Sequence, residues 1–112
     1  MAIQVIPKTK CFKPGDIIYK AGEPTDGAYI VESGEAEMFG TDGRRRVAIS
    51  RITKGEIFGE SLIVLGTGRT RNVRATTQLD CVFIPLEDFQ AMLKSCPPVI
   101  QAVMKRLVRR QQ

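Results

Sequence analysis

The sequence predicts a mostly β domain of the sandwich or barrel kind that closes with helix at its carboxyl end. Three observations carry that expectation. Glycine and proline recur at short intervals from Pro14-Gly15 to Gly68, the runs between them are rich in β-branched and aromatic residues, and the apolar period changes after Pro85. At 112 residues with 43% hydrophobic content, the chain has material for one core, so a single domain over residues 1–112 is expected. Well-distributed Leu, Ile, Val and Phe argue against intrinsic disorder.

Taken in order, strands are expected at Lys10–Lys13, Asp16–Lys20, Ala28–Glu32, Glu35–Phe39, Arg45–Ile52, Ile57–Phe58, Asn72–Ala75 and Cys81–Pro85. Ala28-Tyr29-Ile30-Val31 is continuously apolar, as in a strand covered on both faces. Arg46 to Ile52 alternates and sets Val47 and Ile49, with Arg51 in the same register, on one face. Thr41-Asp42-Gly43 is a tight-turn signal that makes a hairpin of the strands on either side. Tyr29, Val31, Val73 and Phe83 are expected in the core. Leu86-Glu87-Asp88-Phe89 places acids in the first turn of a short helix whose apolar stripe is Phe89, Met92 and Leu93. Cys96-Pro97-Pro98 interrupts it. Proline then opens a second helix with Val99, Val103 and Leu107 on one face, flanked by Ile100 and Met104. That apolar surface suits either a second copy of itself or the β structure beneath it.

Composition removes several classes of function. The chain has no histidine, which excludes Ser-His-Asp and Cys-His nucleophiles, imidazole bases and His-ligated metal centres. Its carboxylates are scattered rather than paired as an acid and a base, so no enzymatic activity is expected. Cys11, Cys81 and Cys96 are an odd number without metal-ligand spacing and are read as small apolar fillers of a reduced protein. No run approaches the roughly 18 apolar residues of a membrane span, and the amino terminus lacks the pattern of a signal peptide, so a cytoplasmic location is expected. The net charge of +5 is local. All 12 acids lie at or before Asp88 together with 12 of the 17 basic residues, leaving Lys94, Lys105, Arg106, Arg109 and Arg110 as the excess. A basic helix of that kind is a solvated face rather than a nucleic-acid reader, and aromatic residues do not interleave with it. Arg44-Arg45-Arg46, just past the tight turn, is likewise a solvated run that suits an acidic partner.

The segment from Gly59 to Val73 is the one that carries chemistry. A glycine follows a short strand, about one turn of helix is expected after it, and Gly66-Thr67-Gly68 leads to Arg69 before the next strand. Amides at a helix amino terminus favour an anion, glycine admits an oxyanion close to the main chain, and arginine adds a planar, permanently charged fork. Together they describe a pocket for one phosphate. The residues alone leave a second reading open, with Gly59 as a turn residue, Glu60 as a helix cap and Arg69 as a surface charge.

Phe58-Gly59-Glu60, then eight residues, then Arg69-Thr70 followed by Val73 and Ala75, resembles the phosphate-binding cassette of cyclic nucleotide-binding domains. The likeness extends upstream through Phe12-Lys13-Pro14-Gly15-Asp16-Ile17-Ile18, Gly22-Glu23-Pro24, Ala28 to Val31, Ser33-Gly34 and Gly55-Glu56-Ile57-Phe58, and covers roughly residues 9 to 110. It implies an antiparallel, jelly-roll-like β-roll over about 9–85 with a short cassette helix, and two carboxyl-terminal helices over about 86–111. It also implies that Glu60 accepts from the ribose 2′-hydroxyl and that Arg69 pairs with the cyclic phosphate. The cradle is completed by main-chain amides near Gly59, Glu60, Ser61, Leu62 and Thr70. Thr70 after the arginine suits guanine in the syn conformation and also occurs where cAMP binds, so both cAMP and cGMP stand as ligands. Arg109 or Arg110 on the last helix is placed to cap the purine, and Arg110 is taken as the contact. No other cofactor is implied.

This sequence departs from the family pattern at three positions. Ser61 and Leu62 stand where a large apolar residue followed by a small one is usual, and Arg71 stands where a small residue is usual. Arg71 either adds a second phosphate cation or points to solvent. The implied function is that of a sensor, part of a larger regulated protein or free-standing, in which ligand shifts the cassette and last helix toward an effector domain or partner. The rivals are a β-roll interaction module that no longer binds nucleotide, and a DNA-binding regulator whose duplex contacts would lie outside this sequence.

Overall fold

Residues 8–59, 69 and 71–110 are described by a computed structural model, with only the backbone for Asp42 and residues 108–110. The strands are β1 Lys8–Phe12, β2 Ile17–Tyr19, β3 Gly27–Ser33, β4 Ala36–Asp42, β5 Arg45–Ile52, β6 Ile57–Phe58, β7 Asn72–Ala75 and β8 Leu79–Pro85. Two helices follow, α1 Leu86–Ser95 and α2 Pro98–Arg110. The expected cassette helix falls outside the described residues.

The strands form two four-stranded antiparallel sheets, ordered β1-β8-β3-β6 and β2-β7-β4-β5. The chain changes sheet at almost every turn, which winds it into a β-roll with its inner faces in contact. The exception is the β4–β5 hairpin, whose strands stay in one sheet. Gly34 carries the turn from β3 to β4 at φ +87°, and a Cβ there would collide with the main-chain oxygen of Gln78, so glycine is required.

Tyr29, Val31, Leu79, Cys81, Phe83 and Phe58 from one sheet meet Tyr19, Ala36, Ile52, Val73 and Ala75 from the other. Tyr29 is the aromatic hub of this core. Its ring stacks on Phe58 at 4.9 Å between centroids and lies 5.0 Å from Phe83, with Phe12 edge-on at 6.2 Å. All four expected core residues are therefore buried.

Two expectations are corrected. The alternation in β5 does not bury one face: Arg45 to Arg51 are all exposed, and Ile52 is the buried residue of the strand. An outermost strand continuing a hairpin past the edge of the opposite sheet has no layer to pack against. Of the three cysteines, only Cys81 is a core filler, because Cys11 faces outward beside Asp80 and Cys96 is half-buried between the helices. The expected α1 stripe of Phe89, Met92 and Leu93 is half-buried. On α2, Val99, Ile100, Val103 and Leu107 are 45–67% exposed, so this apolar face does not close onto the roll.

Replacing Leu79, which is 0% exposed, by alanine should lower unfolding stability by about 2–5 kcal/mol in urea titration. Val47→Ala on β5 should change it by less than about 0.5 kcal/mol. Burial, reinforced by the neighbouring Asp80 charge, pushes the Cys81 thiol up to about 11 from its ordinary 9.0. The unfolded thiol then loses its proton first, so this contribution is intact below pH 9.0 and is lost as pH rises toward about 11. Urea titrations at both ends of that window should show a shallower decline for Cys81→Ala than for the parent chain.

Candidate functional site

Arg69 sits where the chain re-enters the described structure ahead of β7, and its main chain is fixed first. Its N–H donates to the Glu23 carbonyl at 3.2 Å, and its carbonyl accepts from Gly22 N at 2.8 Å, which ties it to the turn between β2 and β3. The side chain points inward and is 0% exposed. A buried guanidinium must be surrounded by acceptors or it destabilises the fold by several kcal/mol.

The acceptors come from both sides. Nη1 donates to the Gly59 carbonyl at 2.8 Å, while Nη2 donates to the Gly27 carbonyl at 2.7 Å and to Asp26 Oδ1 at 2.9 Å. The guanidinium also lies over the Tyr19 ring, 4.0 Å from its centroid. Nε is buried and has no hydrogen-bond partner among the described residues. Gly59 closes the far side with φ +82°, and a Cβ at that position would stand 2.8 Å from Nη1. Any side chain at position 59 would displace the arginine as well as strain its own backbone.

Asp26 connects this cation to the rest of the fold. Its Oδ2 accepts from the Tyr29 hydroxyl at 3.0 Å and lies 3.9 Å from Lys10 Nζ, and its main-chain oxygen accepts from Leu86 N at 2.9 Å at the start of α1. Burial raises the Tyr29 phenol, and the charge and hydrogen bond of Asp26 raise it further, while Arg69 opposes them. Tyr29 therefore remains a donor to Asp26 throughout the ordinary pH range. Lys10 itself caps the Phe83 ring at 3.7 Å.

The result is a charged group whose plane is set by two carbonyls, a carboxylate and an aromatic face, with its Nε–H unpaired among the described residues. Such a group suits a compact anion. The reading of Arg69 as a surface charge is overturned by its burial. Gly59 is the turn residue that the sequence suggests and also supplies one of the acceptors. Arg71 is exposed, which agrees with its solvent-facing alternative. Glu60, Ser61, Leu62 and Thr70 lie outside the described residues, as does the side chain of Arg110, whose backbone ends α2. Sequence reasoning missed Asp26, Tyr19 and Gly27. Asp26 and Arg69 are 43 positions apart, and the only available signal was the general need of a buried cation for a carboxylate.

A family model described as "Cyclic nucleotide-binding domain" matches residues 9–96. The chain is 26% identical over 103 residues to the HTH-type transcriptional regulator Cmr of Mycobacterium tuberculosis, covering 92% of this chain and 42% of that protein. It is 29% identical over 99 residues to a cAMP-dependent protein kinase regulatory subunit of Colletotrichum orbiculare, covering 88% of this chain and 24% of that one. The chain thus spans less than half the length of either relative. Among solved structures, the EAL enzyme Bd1971 superposes with TM-scores of 0.84 in its cAMP-bound form and 0.85 in its cGMP-bound form. In both forms the identity is 24%, with 93% of this chain and 28% of that chain covered, a likeness of fold.

Asp26→Asn keeps the shape of the acceptor and removes its charge, leaving Arg69 buried against carbonyls alone. Thermal or urea unfolding should register a loss of about 1–3 kcal/mol. No loss would mean that Asp26 does not hold the guanidinium.

Proposed function

Because the chain belongs to the cyclic nucleotide-binding domain family, we propose that it binds cAMP or cGMP and acts as a regulatory sensor that does not transform its ligand. The observation that carries this reading is the buried Arg69 guanidinium, pre-set by Asp26, Gly27, Gly59 and Tyr19, with its Nε–H unpaired among the described residues. Ordering a charged group before the ligand arrives lowers the entropy lost on binding. A cyclic phosphodiester carries one negative charge on a compact tetrahedral group, which matches one rigid cation.

Around it, Glu60 takes the ribose 2′-hydroxyl, amides near Gly59, Ser61, Leu62 and Thr70 complete the phosphate cradle, and Thr70 admits guanine as well as adenine. Arg110 serves as the purine cap. The proposed unit is a single domain over residues 1–112. Its response is a population shift in which ligand favours one placement of the cassette and of α2. The exposed Val99, Ile100, Val103 and Leu107 support that reading, because a helix whose apolar face is not committed to the roll is free to take a second position. The output belongs to an effector domain or a protein partner, in line with the regulatory proteins among its relatives.

Isothermal titration with cAMP and cGMP, beside 5′-AMP, tests the proposal. Saturable binding of a cyclic nucleotide, without binding of 5′-AMP, is expected. Arg69→Ala should weaken it by roughly 2–5 kcal/mol. Glu60→Ala should weaken it less and should abolish discrimination against the 2′-deoxy analogue. A folded, ligand-free chain that gives neither heat nor thermal stabilisation with either cyclic nucleotide would instead be a β-roll interaction module.

A further inference from the structure

β5 is the outermost strand of its sheet. It pairs with β4 on one side, and among the described residues no strand or backbone hydrogen bond occupies the other. Half of the main-chain N–H and C=O groups of such a strand point outward without a protein partner. At eight residues it is the longest strand, and Val47 and Ile49 are 49% and 45% exposed. Edge strands are commonly kept short or charged at their centre. Here Val47-Ala48-Ile49-Ser50 is uncharged, and the charges stand at the ends, with Arg44, Arg45 and Arg46 before it and Arg51 after. A bulge at Ile49, which has no register partner on β4, kinks the far half and leaves Arg45–Ala48 in regular pairing.

The Glu35–Arg51 ion pair, at 2.8 Å, stands at the far end of β5. That end of the strand is charge-balanced, and the other carries three consecutive arginines. We infer that the outer edge of β5 is a docking site for an extended acidic segment of a partner protein, which joins this sheet as its fifth strand. Both sheets are antiparallel throughout, and an antiparallel addition sets the partner's β-branched residues along Val47–Ser50 and its acids, at its carboxyl side, opposite Arg44–Arg46. A second copy is a poor occupant, because a two-fold axis at Ala48 would place Arg45 against Arg51. Nucleic acid is disfavoured by the uncharged centre and by the burial of Phe39 beneath Arg46.

The test is titration of the ¹⁵N-labelled chain with an eight-residue peptide of alternating valine and threonine that ends in three glutamates. Amide shifts and slowed exchange confined to residues 44–51 are expected. N-methylation of alternate peptide residues should abolish binding in one of its two registers and be tolerated in the other, since a strand offers only one edge to the sheet. Replacing the three glutamates by lysines, or Arg45→Glu with Arg46→Glu in the chain, should weaken binding about tenfold at low salt. Several results would overturn the inference. These are no binding up to millimolar peptide, equal binding of both N-methylated forms, equal binding of the lysine peptide, peptide-free self-association through β5, and displacement of the peptide by a short DNA duplex.

Discussion

A guanidinium withdrawn from water is the constraint around which this fold is organised. Arg69 is charged at any ordinary pH, so the fold must provide what water provided. It does so with parts from two stretches of chain: residues 19–27, which supply the Tyr19 ring, the β2–β3 turn that fixes the arginine main chain and the acid and carbonyl of Asp26-Gly27, and the Gly59 carbonyl after β6. These two stretches are far apart in the chain, and neither adjoins Arg69 itself. The winding of the chain between two sheets makes them neighbours. The arginine is thus satisfied only when the roll is complete, and it reports that completion.

The same group ties the polar site to the apolar core. Asp26 accepts from Arg69 on one oxygen and from Tyr29 on the other, and Tyr29 is the ring against which Phe58 and Phe83 pack. The carboxylate therefore rests on a side chain that cannot move without disturbing aromatic packing worth about 0.5–1.5 kcal/mol per pair beyond its buried area. Its main-chain oxygen holds the first residue of α1, so the helical end of the chain is attached at the point where the cation is held.

Much of the roll was legible because turns and β-branched runs are local signals. Arg45–Ile52, Ile57–Phe58 and Asn72–Ala75 have the expected bounds, and the Thr41-Asp42-Gly43 turn makes the expected hairpin. The α1 and α2 boundaries follow the prolines at 85, 97 and 98 for the same reason. What a strand packs against is not local. The alternation of Val47 and Ile49 reads as a buried face, but an outermost strand extending past the opposite sheet has nothing to bury it. The site divides along the same line. Gly59 and Arg69 were visible from their spacing, whereas Asp26 and Tyr19 enter through contacts 43 and 50 positions away in the chain, and no pattern of residues announces them.

A recognition group that does not titrate has a consequence for how such a receptor performs in a changing medium. The only side chains that ordinarily change charge between about pH 5 and 8 are histidines, and this sequence contains none. The cation at the site keeps its proton, and the phenol bonded to its counter-ion is pushed further from neutrality rather than toward it. Changes of medium between about pH 5 and 8 therefore leave the charge of the guanidinium and of the phenol unaltered. In a sensor of the proposed kind, pH sensitivity over that range would have to enter through groups other than these two.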